Sequence, residues 1–426
     1  MRKKIIQANY VKLLIASLVA GLLSAFLASV LKHITEHYEA HFFKTISPYS
    51  YLFLVFPLIG LLMIHILRKY AFRKKPNKGI KEIYLTLDTR RNELPGYKIP
   101  SHFINGFLTV IFGGSTGVEV STVVSTATIG AVTRQKAAIA NRFKTELICA
   151  GVAGGLTALF GSPLVGLLFA VEVIARKVTK TILMSSVAAV LVAWAFLQLL
   201  HEEPLLNLSI THWQVSAIPY IIGLSVLAGV ISVFFTRTVI AVKNRFGSVK
   251  NDYIRILVGA AIVGVGIFLL PALFGDSYSA VTDMIGRSER QAFTIPFAVT
   301  ILAIVLLKPI ISSVTLGAGG DGGVFAPSIV IGALLGLLLA TFCNHYFHAH
   351  LIVANFIIMG IAAVLSGSIH APLTSTSLAC RLSGGFILTV PVLIASTVAR
   401  YTAKKIYPYT VYSYKDQAIQ QPVAAK

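Results

Sequence analysis

Three acidic side chains stand where this sequence can least accommodate charge: Glu119, Glu172 and Asp321. A carboxylate inside a membrane segment is costly and is a functional hypothesis by default. Glu119 follows the run Gly113-Gly114-Ser115-Thr116-Gly117 and opens an apolar helical stretch, which puts it in a first helical turn. Its ionised form there competes with any anion drawn to the unpaired N–H groups of the helix start, and protonation frees the site. Gating is thus its functional reading, against a structural one in which it pairs with a neighbouring donor. Glu172 lies inside the run Leu164 to Ile174, four residues before Arg176 and five before Lys177. That spacing fits a helix ion pair at the membrane interface. Asp321, inside Gly317-Ala318-Gly319-Gly320-Asp321-Gly322-Gly323, reads as a turn or cap residue. Ser366 and His370 are four residues apart and can share a helix face, but a serine hydrolase also needs an oxyanion arrangement and an oriented base. The three cysteines, Cys149, Cys343 and Cys380, lie in apolar segments without metal-ligand spacing and read as small hydrophobes.

The elements that must position these residues are membrane helices. Of the 426 residues, 56% are hydrophobic and 12% charged, where soluble domains carry about 25% charge. Apolar runs at or near the roughly 20 residues of a membrane span include Leu13 to Val30, Tyr51 to Leu67, Ile182 to Leu200, Ile218 to Phe235, Ile256 to Leu273 and Phe293 to Leu307. The expectation is an all-α polytopic membrane protein over residues 1–412, with halves of roughly 10–236 and 250–412. A short tail, 413–426, follows, with no regulatory domain expected after it.

A net charge of +21 would point to nucleic acid in a soluble protein, but here its distribution reads as topology. Between Arg68 and Lys98 there are ten Lys or Arg residues, against Glu82, Asp88 and Glu93, so that segment should face the cytoplasm. No Lys or Arg occurs from Thr181 to Thr236, which places the turn His201-Glu202-Glu203-Pro204 outside. The start Met1-Arg2-Lys3-Lys4 precedes an apolar run without a convincing cleavage site and reads as a retained cytoplasmic end, in a plasma or inner membrane.

The chain also resembles itself. Gly117, Val118, Val124 and Gly130 recur 206 residues later as Gly323, Val324, Val330 and Gly336. Gly151, Ala153, Pro163 and Leu164 recur 209 residues later as Gly360, Ala362, Pro372 and Leu373. Eight identities in one order at nearly one offset point to a duplicated half. Arg134, Lys136, Arg142 and Lys144 follow the first copy, whereas Pro309 to Cys380 holds no Lys or Arg, so the copies are expected to be inverted. Such repeats place a substrate site near the bilayer midplane, between the halves.

Each copy brings a glycine-rich run into a helix start. Small residues alone serve close helix packing. Duplicated and meeting from opposite faces, two such starts make an anion site from backbone N–H groups without a buried cation.

On these residues the chain resembles the ClC family of chloride channels and chloride/proton exchangers, over about Tyr10 to Tyr412. Gly117-Val118-Glu119-Val120-Ser121 looks like the family's Gly-x-Glu-Gly-Pro motif, and Gly323-Val324-Phe325-Ala326-Pro327 is an intact Gly-x-Phe-x-Pro. Gly161-Ser162-Pro163-Leu164 and His370-Ala371-Pro372-Leu373-Thr374 resemble its Pro-Leu helix starts. The resemblance implies a ClC-like fold with broken and re-entrant helices in two inverted halves. It implies Glu119 as the gating carboxylate, and anion binding at Gly117, Val118, Gly323, Val324, Phe325 and Ala326. Tyr407 is the best match for the pore tyrosine, with Tyr409 the alternative. It also implies a homodimer with one pore per subunit.

The departures matter as well. The family's Gly-Ser-Gly-Ile-Pro aligns only with Asn77-Lys78-Gly79-Ile80-Lys81-Glu82, which puts Lys78, Gly79 and Ile80 at the inner mouth. The second, internal proton glutamate of family exchangers is here Val173. Valine carries no proton, so the expectation is a channel-like pathway for chloride or a similar small anion, with Glu172 the substitute on a possible proton path. The alternative is a proton-coupled antiporter of chloride or fluoride; a transporter of another solute is remoter, since cation sites need more buried carboxylates than the sequence offers. No enzyme activity, cofactor, metal or nucleic-acid partner is expected, and membrane lipid surrounds the chain.

Overall fold

Among the described residues of this computed structural model, seven helical stretches are long and apolar enough to cross a membrane: Asn9–Ile46, Ser50–Tyr70, Lys180–Gln198, Val215–Gly247, Asp252–Leu269, Ile295–Ala318 and Phe325–Phe347. The structure describes residues 2–72, 77–89, 93–139, 141–200, 208, 210–290 and 293–414, with backbone only for 2–8 and 141. The expected outer turn His201–Pro204, part of the basic segment and most of the tail lie outside the described residues.

The chain is all-helical. In order, α1 is Arg2–Ile46, α2 Phe56–Tyr70, α3 Ile80–Asp88, α4 Lys98–Ile111, α5 Glu119–Lys136, α6 Lys144–Phe160, α7 Pro163–Phe169 and α8 Lys180–Gln198. Then come α9 Ile218–Gly247, α10 Asp252–Leu269, α11 Tyr278–Arg290, α12 Ile295–Ala318, α13 Phe325–Phe347, α14 Val353–Ile369, α15 Pro372–Leu382 and α16 Thr389–Ile406. The long helices α1, α8, α9, α10 and α12 carry exposed Leu, Ile, Val and Phe on one side, while α5, α6, α13 and α14 are buried almost all round.

Helix α5 shows how a polar sequence survives at the centre. Its threonine hydroxyls bond back into the helix: Thr122 to the Val118 carbonyl at 3.0 Å, Thr126 to Thr122 at 2.8 Å and Thr128 to Val124 at 2.7 Å. Donors satisfied in this way need no partner from a neighbouring helix.

The two halves repeat the same contacts. Helix α5 crosses α6 where a side chain on Gly130 would strike the backbone of Leu147 and Ile148. Helix α13 crosses α14 where one on Gly336 would strike Phe356 and Ile357. Gly151 and Gly360 face these crossings from the other side, against the carbonyls of Thr126 and Gly332. Each pair of residues is separated by the sequence offsets of the repeat. The helices ending at Phe160 and Ile369 both stop on a left-handed residue, Gly161 with φ 62° and His370 with φ 57°.

Candidate functional site

The glycine runs that precede α5 and α13 pair directly, Gly117 with Gly323, in an isolated antiparallel bridge. These are equivalent residues of the two halves, so the bridge is the contact that a two-fold relation between inverted copies produces. The loops also exchange a support. The Ser115 amide donates to Thr315 Oγ1 at 3.2 Å, and the Asp321 amide donates to Thr109 Oγ1 at 2.8 Å. Each half thus holds the other's loop through an equivalent threonine. Glycine is required at the bridge because a Cβ on Gly117 would overlap both carboxylate oxygens of Glu119 and come within 2.5 Å of the Ala326 Cβ. One on Gly323 would overlap Val120.

Glu119 is buried, 3% exposed, in the first turn of α5. Its Oε1 accepts a 2.7 Å hydrogen bond from the Tyr278 hydroxyl, and Oε2 has no partner. The carboxylate therefore lies between its own helix start and that of α13.

Val120 points the other way. Its Cγ1 stands 3.5 Å from the Cβ position of Gly79, whose φ is 63°, and its Cγ2 presses on Gly323. The third helix start, Gly79-Ile80 at α3, therefore meets the other two around this valine. Ile80 is buried, whereas Lys78 is exposed. The Lys78 backbone amide donates to Glu82 Oε1, and Glu82 pairs with Lys98. Val118, Val324 and Ala326 flank the same junction, and Phe325 stacks on Phe160 at 5.5 Å and tilts against Phe169 at 5.8 Å.

The tyrosine at this junction is Tyr412. It is 7% exposed, and its buried hydroxyl oxygen lies 3.6 Å from the Cβ position of Gly323. This corrects the expectation for Tyr407, whose ring instead packs beside Arg237 at 5.0 Å and Tyr409 at 5.6 Å. Tyr409 is 48% exposed. The reason is local: α16 ends at Ile406, Tyr407 is extended, and the chain turns back only over Thr410 to Ser413.

Glu172 also departs from the expected helix ion pair. Residues Ala170–Ala175 wind as a wider π turn, which takes Glu172 off the face of Arg176. Arg176 pairs with Asp88 at 3.2 Å and lies over Tyr84. Glu172 instead caps α15, accepting from the Leu373 amide at 3.2 Å and from the Thr374 amide and hydroxyl at 2.8 and 2.7 Å. In the first half the equivalent helix α7 is capped by Ser162; Ala371, the matching residue, has no hydroxyl to offer. A carboxylate with three such donors serves as a helix cap. Ser366 spends its hydroxyl on the Ser396 carbonyl at 2.7 Å, which leaves no nucleophile for His370.

Sequence reasoning gave Asp321 a turn and missed its partners. It is buried and accepts from His102 Nδ1 at 2.9 Å, Asn77 Nδ2 at 3.0 Å and the Ser121 hydroxyl at 3.4 Å, with Arg68 3.8 Å away. Arg68 also donates to the Gly319 carbonyl at 2.7 Å. This cluster pins the second glycine loop to α2 and α4. The signal was present in Lys98, Ser101, His102, Asn105 and Thr109, a polar stripe at helical spacing. Also missed was Lys308, fully buried in α12, whose ammonium donates to the Gly275 carbonyl at 3.0 Å and the Ser277 hydroxyl at 2.6 Å.

Comparison with known proteins matches the chain to one family and one fold. The family described as voltage gated chloride channel matches residues 59–404. The voltage-gated ClC-type chloride channel ClcB of Shigella flexneri is 28% identical over 311 residues, 72% of this chain and 72% of that protein. ClcB of Escherichia coli (strain K12 / DH10B) matches to the same extent. Among solved structures, a CLC-type fluoride/proton antiporter superposes with a TM-score of 0.80 at 23% identity, covering 94% of this chain and 96% of that one. A slow cyanobacterial Cl-/H+ antiporter does so with 0.82 at 20% identity, with the same coverage.

Proposed function

Because this chain belongs to the voltage-gated chloride channel (ClC) family, a family of multi-pass membrane proteins for anion transport and not of enzymes, we propose that it conducts chloride or a similar small anion through a pathway that Glu119 gates. The observation that carries this reading is the Gly117–Gly323 bridge, which sets two helix N-termini against each other with a buried, half-satisfied carboxylate between them.

In this reading the helix starts at Gly117-Val118 and at Gly323-Val324-Phe325-Ala326 supply the positive ends, and the Tyr412 hydroxyl takes the place expected for that of Tyr407. Lys78, Gly79 and Ile80 form the inner mouth, with the exposed ammonium of Lys78 drawing anions toward it. Ionised Glu119 occupies the place of the anion; protonated, it withdraws and the anion enters. Transport is channel-like because Val173 holds no proton and Glu172 is committed to the start of α15. We also propose a homodimer, supported by exposed apolar residues on α15 and α16, among them Leu373, Val390 and Leu393. The amino-terminal end is assigned to the cytoplasm on the distribution of basic residues.

The test is flux from liposomes containing the purified protein. Chloride, fluoride or nitrate should pass and sodium should not; sodium flux without anion flux would sink the proposal. An imposed chloride gradient should drive no proton movement, and uphill proton pumping would replace the channel with an antiporter.

A further inference from the structure

A cavity of about 860 Å³ opens beside α11, rimmed by the exposed residues Glu36, Asp283 and Arg287 and deepened by Glu39 and Asp276. Glu119 does not line it. Tyr278 does, and on its other side the same residue bonds to Glu119. We propose that Tyr278 is the latch of the gate: a positioning residue whose hydroxyl holds ionised Glu119 in its seat and separates the anion path from this cavity. The inference rests on Glu119 being the gate.

The mount of Tyr278 is built for a fixed hydroxyl. The loop ahead of it, Phe274–Ser277, carries positive φ at Gly275 (54°) and Ser277 (69°), an uncommon conformation for a serine. Two ionisable side chains hold it there, Glu39 half-buried and Lys308 fully buried. Glu39 of α1 accepts from the Asp276 amide at 2.9 Å, and Lys308 of α12 donates to Gly275 and Ser277. Asp276 in turn accepts from the Tyr278 amide at 2.9 Å and starts α11. A lysine and a carboxylate from separate membrane helices are thus committed to one four-residue loop, whose product is the placement of Tyr278.

A hydroxyl bonds a carboxylate roughly twice as strongly as it bonds a neutral acid. The latch therefore favours the ionised, seated gate and lets go when a proton arrives. The other groups facing Glu119 and Tyr278 are Asp276 on the loop, Glu36 and Glu39 from α1, Lys308 from α12, Asp283 and Arg287 from α11, and the Tyr412 hydroxyl. All of them persist in Tyr278→Phe, so that variant isolates the latch.

The experiment is chloride flux against pH in proteoliposomes for the full-length wild type, Tyr278→Phe, Glu119→Gln and the double variant. Tyr278→Phe should move the midpoint of the flux curve up by about one pH unit, a tenfold easier release. It should add nothing in the Glu119→Gln background. Incorporation of 3-fluorotyrosine at position 278, a stronger donor of the same shape, should move the midpoint down. An unmoved midpoint with either replacement, while Glu119→Gln flattens the curve, overturns the latch and leaves the gate standing. An equal effect of Tyr278→Phe with and without Glu119 also overturns it, as a structural role. A Glu119→Gln curve that keeps its full pH dependence overturns gate and latch together.

Discussion

Replacing Glu119 by glutamine tests the electrostatics of the site with little change of shape. The carboxylate lies against Gly117 and Ala326, within the two helix starts that would cradle an anion. Two unit charges about 4 Å apart in a medium of effective dielectric about 20 repel by about 4 kcal/mol. At 1.4 kcal/mol per factor of ten, that lowers anion occupancy about a thousandfold while the gate is ionised. Protonation removes the charge, so wild-type flux should rise as pH falls and level off once the gate is neutral.

Glu119→Gln is neutral at every pH, so its flux should be flat across about pH 5 to 8.5 and should exceed wild type most at the alkaline end. The glutamine still fills the seat, which limits the gain to less than the full electrostatic factor; Glu119→Ala removes charge and bulk and should conduct more. Chloride efflux from proteoliposomes, followed with a chloride electrode, reads both. A well-folded Glu119→Gln protein whose flux retains the wild-type slope against pH would refute the reasoning.

Other consequences follow from the neighbours. Val120 fills the space among the three helix starts, so Val120→Gly should raise flux and let larger anions such as nitrate compete better with chloride, checked by paired flux ratios. Its lost burial costs about 1.5–3 kcal/mol, visible as a lower melting temperature in detergent. Asp321→Asn leaves Arg68 and His102 around an uncharged partner, and breaking a buried pair costs about 3–5 kcal/mol. It should therefore melt well below wild type and bind anion more weakly in calorimetry. Asp252→Asn, at an exposed pair with Arg255, should change stability by less than about 1 kcal/mol and serves as the comparison.

Much of this was legible in the residues. Each of the six apolar runs overlaps a membrane-length helix, three wholly inside it and three running past one end, and the repeat offsets reappear as equivalent backbone crossings. Glu119 was visible because a carboxylate at the start of an apolar helix is too costly to be kept there for packing alone. Tyr412 was not, because five tyrosines crowd the stretch from Tyr401 to Tyr414, and which one faces inward depends on where α16 ends and how the chain turns. Tyr278 begins a short helix whose apolar face, Val281, Met284 and Ile285, is readable in sequence, but that pattern does not say which helix of the other half its first residue meets. Lys308 terminated an apolar run on paper and looked like its boundary; α12 in fact continues through it to Ala318 and buries the ammonium against a loop 31 to 33 residues earlier. Partners so distant in sequence are set by tertiary packing, which local pattern cannot express.

The duplication also shows where the two halves differ at their matched helix starts. Residue 119 and residue 325 are equivalent positions in the first turns of α5 and α13, yet one is glutamate and the other phenylalanine. Phe325 is fixed by two aromatic neighbours, Phe160 and Phe169, and has no protonation state to change. Glu119 is held by the Tyr278 hydroxyl, a bond that weakens on protonation. Two matched helix starts therefore carry an aromatic wall on one side and a carboxylate on the other, the asymmetry that the proposed gate uses. The same asymmetry recurs at the second pair of helix starts, where Ser162 caps its own helix but Ala371 cannot, and Glu172 of the first half fills the vacancy. Glu172 is thus engaged in holding the start of α15, which supports the proposal that Glu119 is the carboxylate that gates.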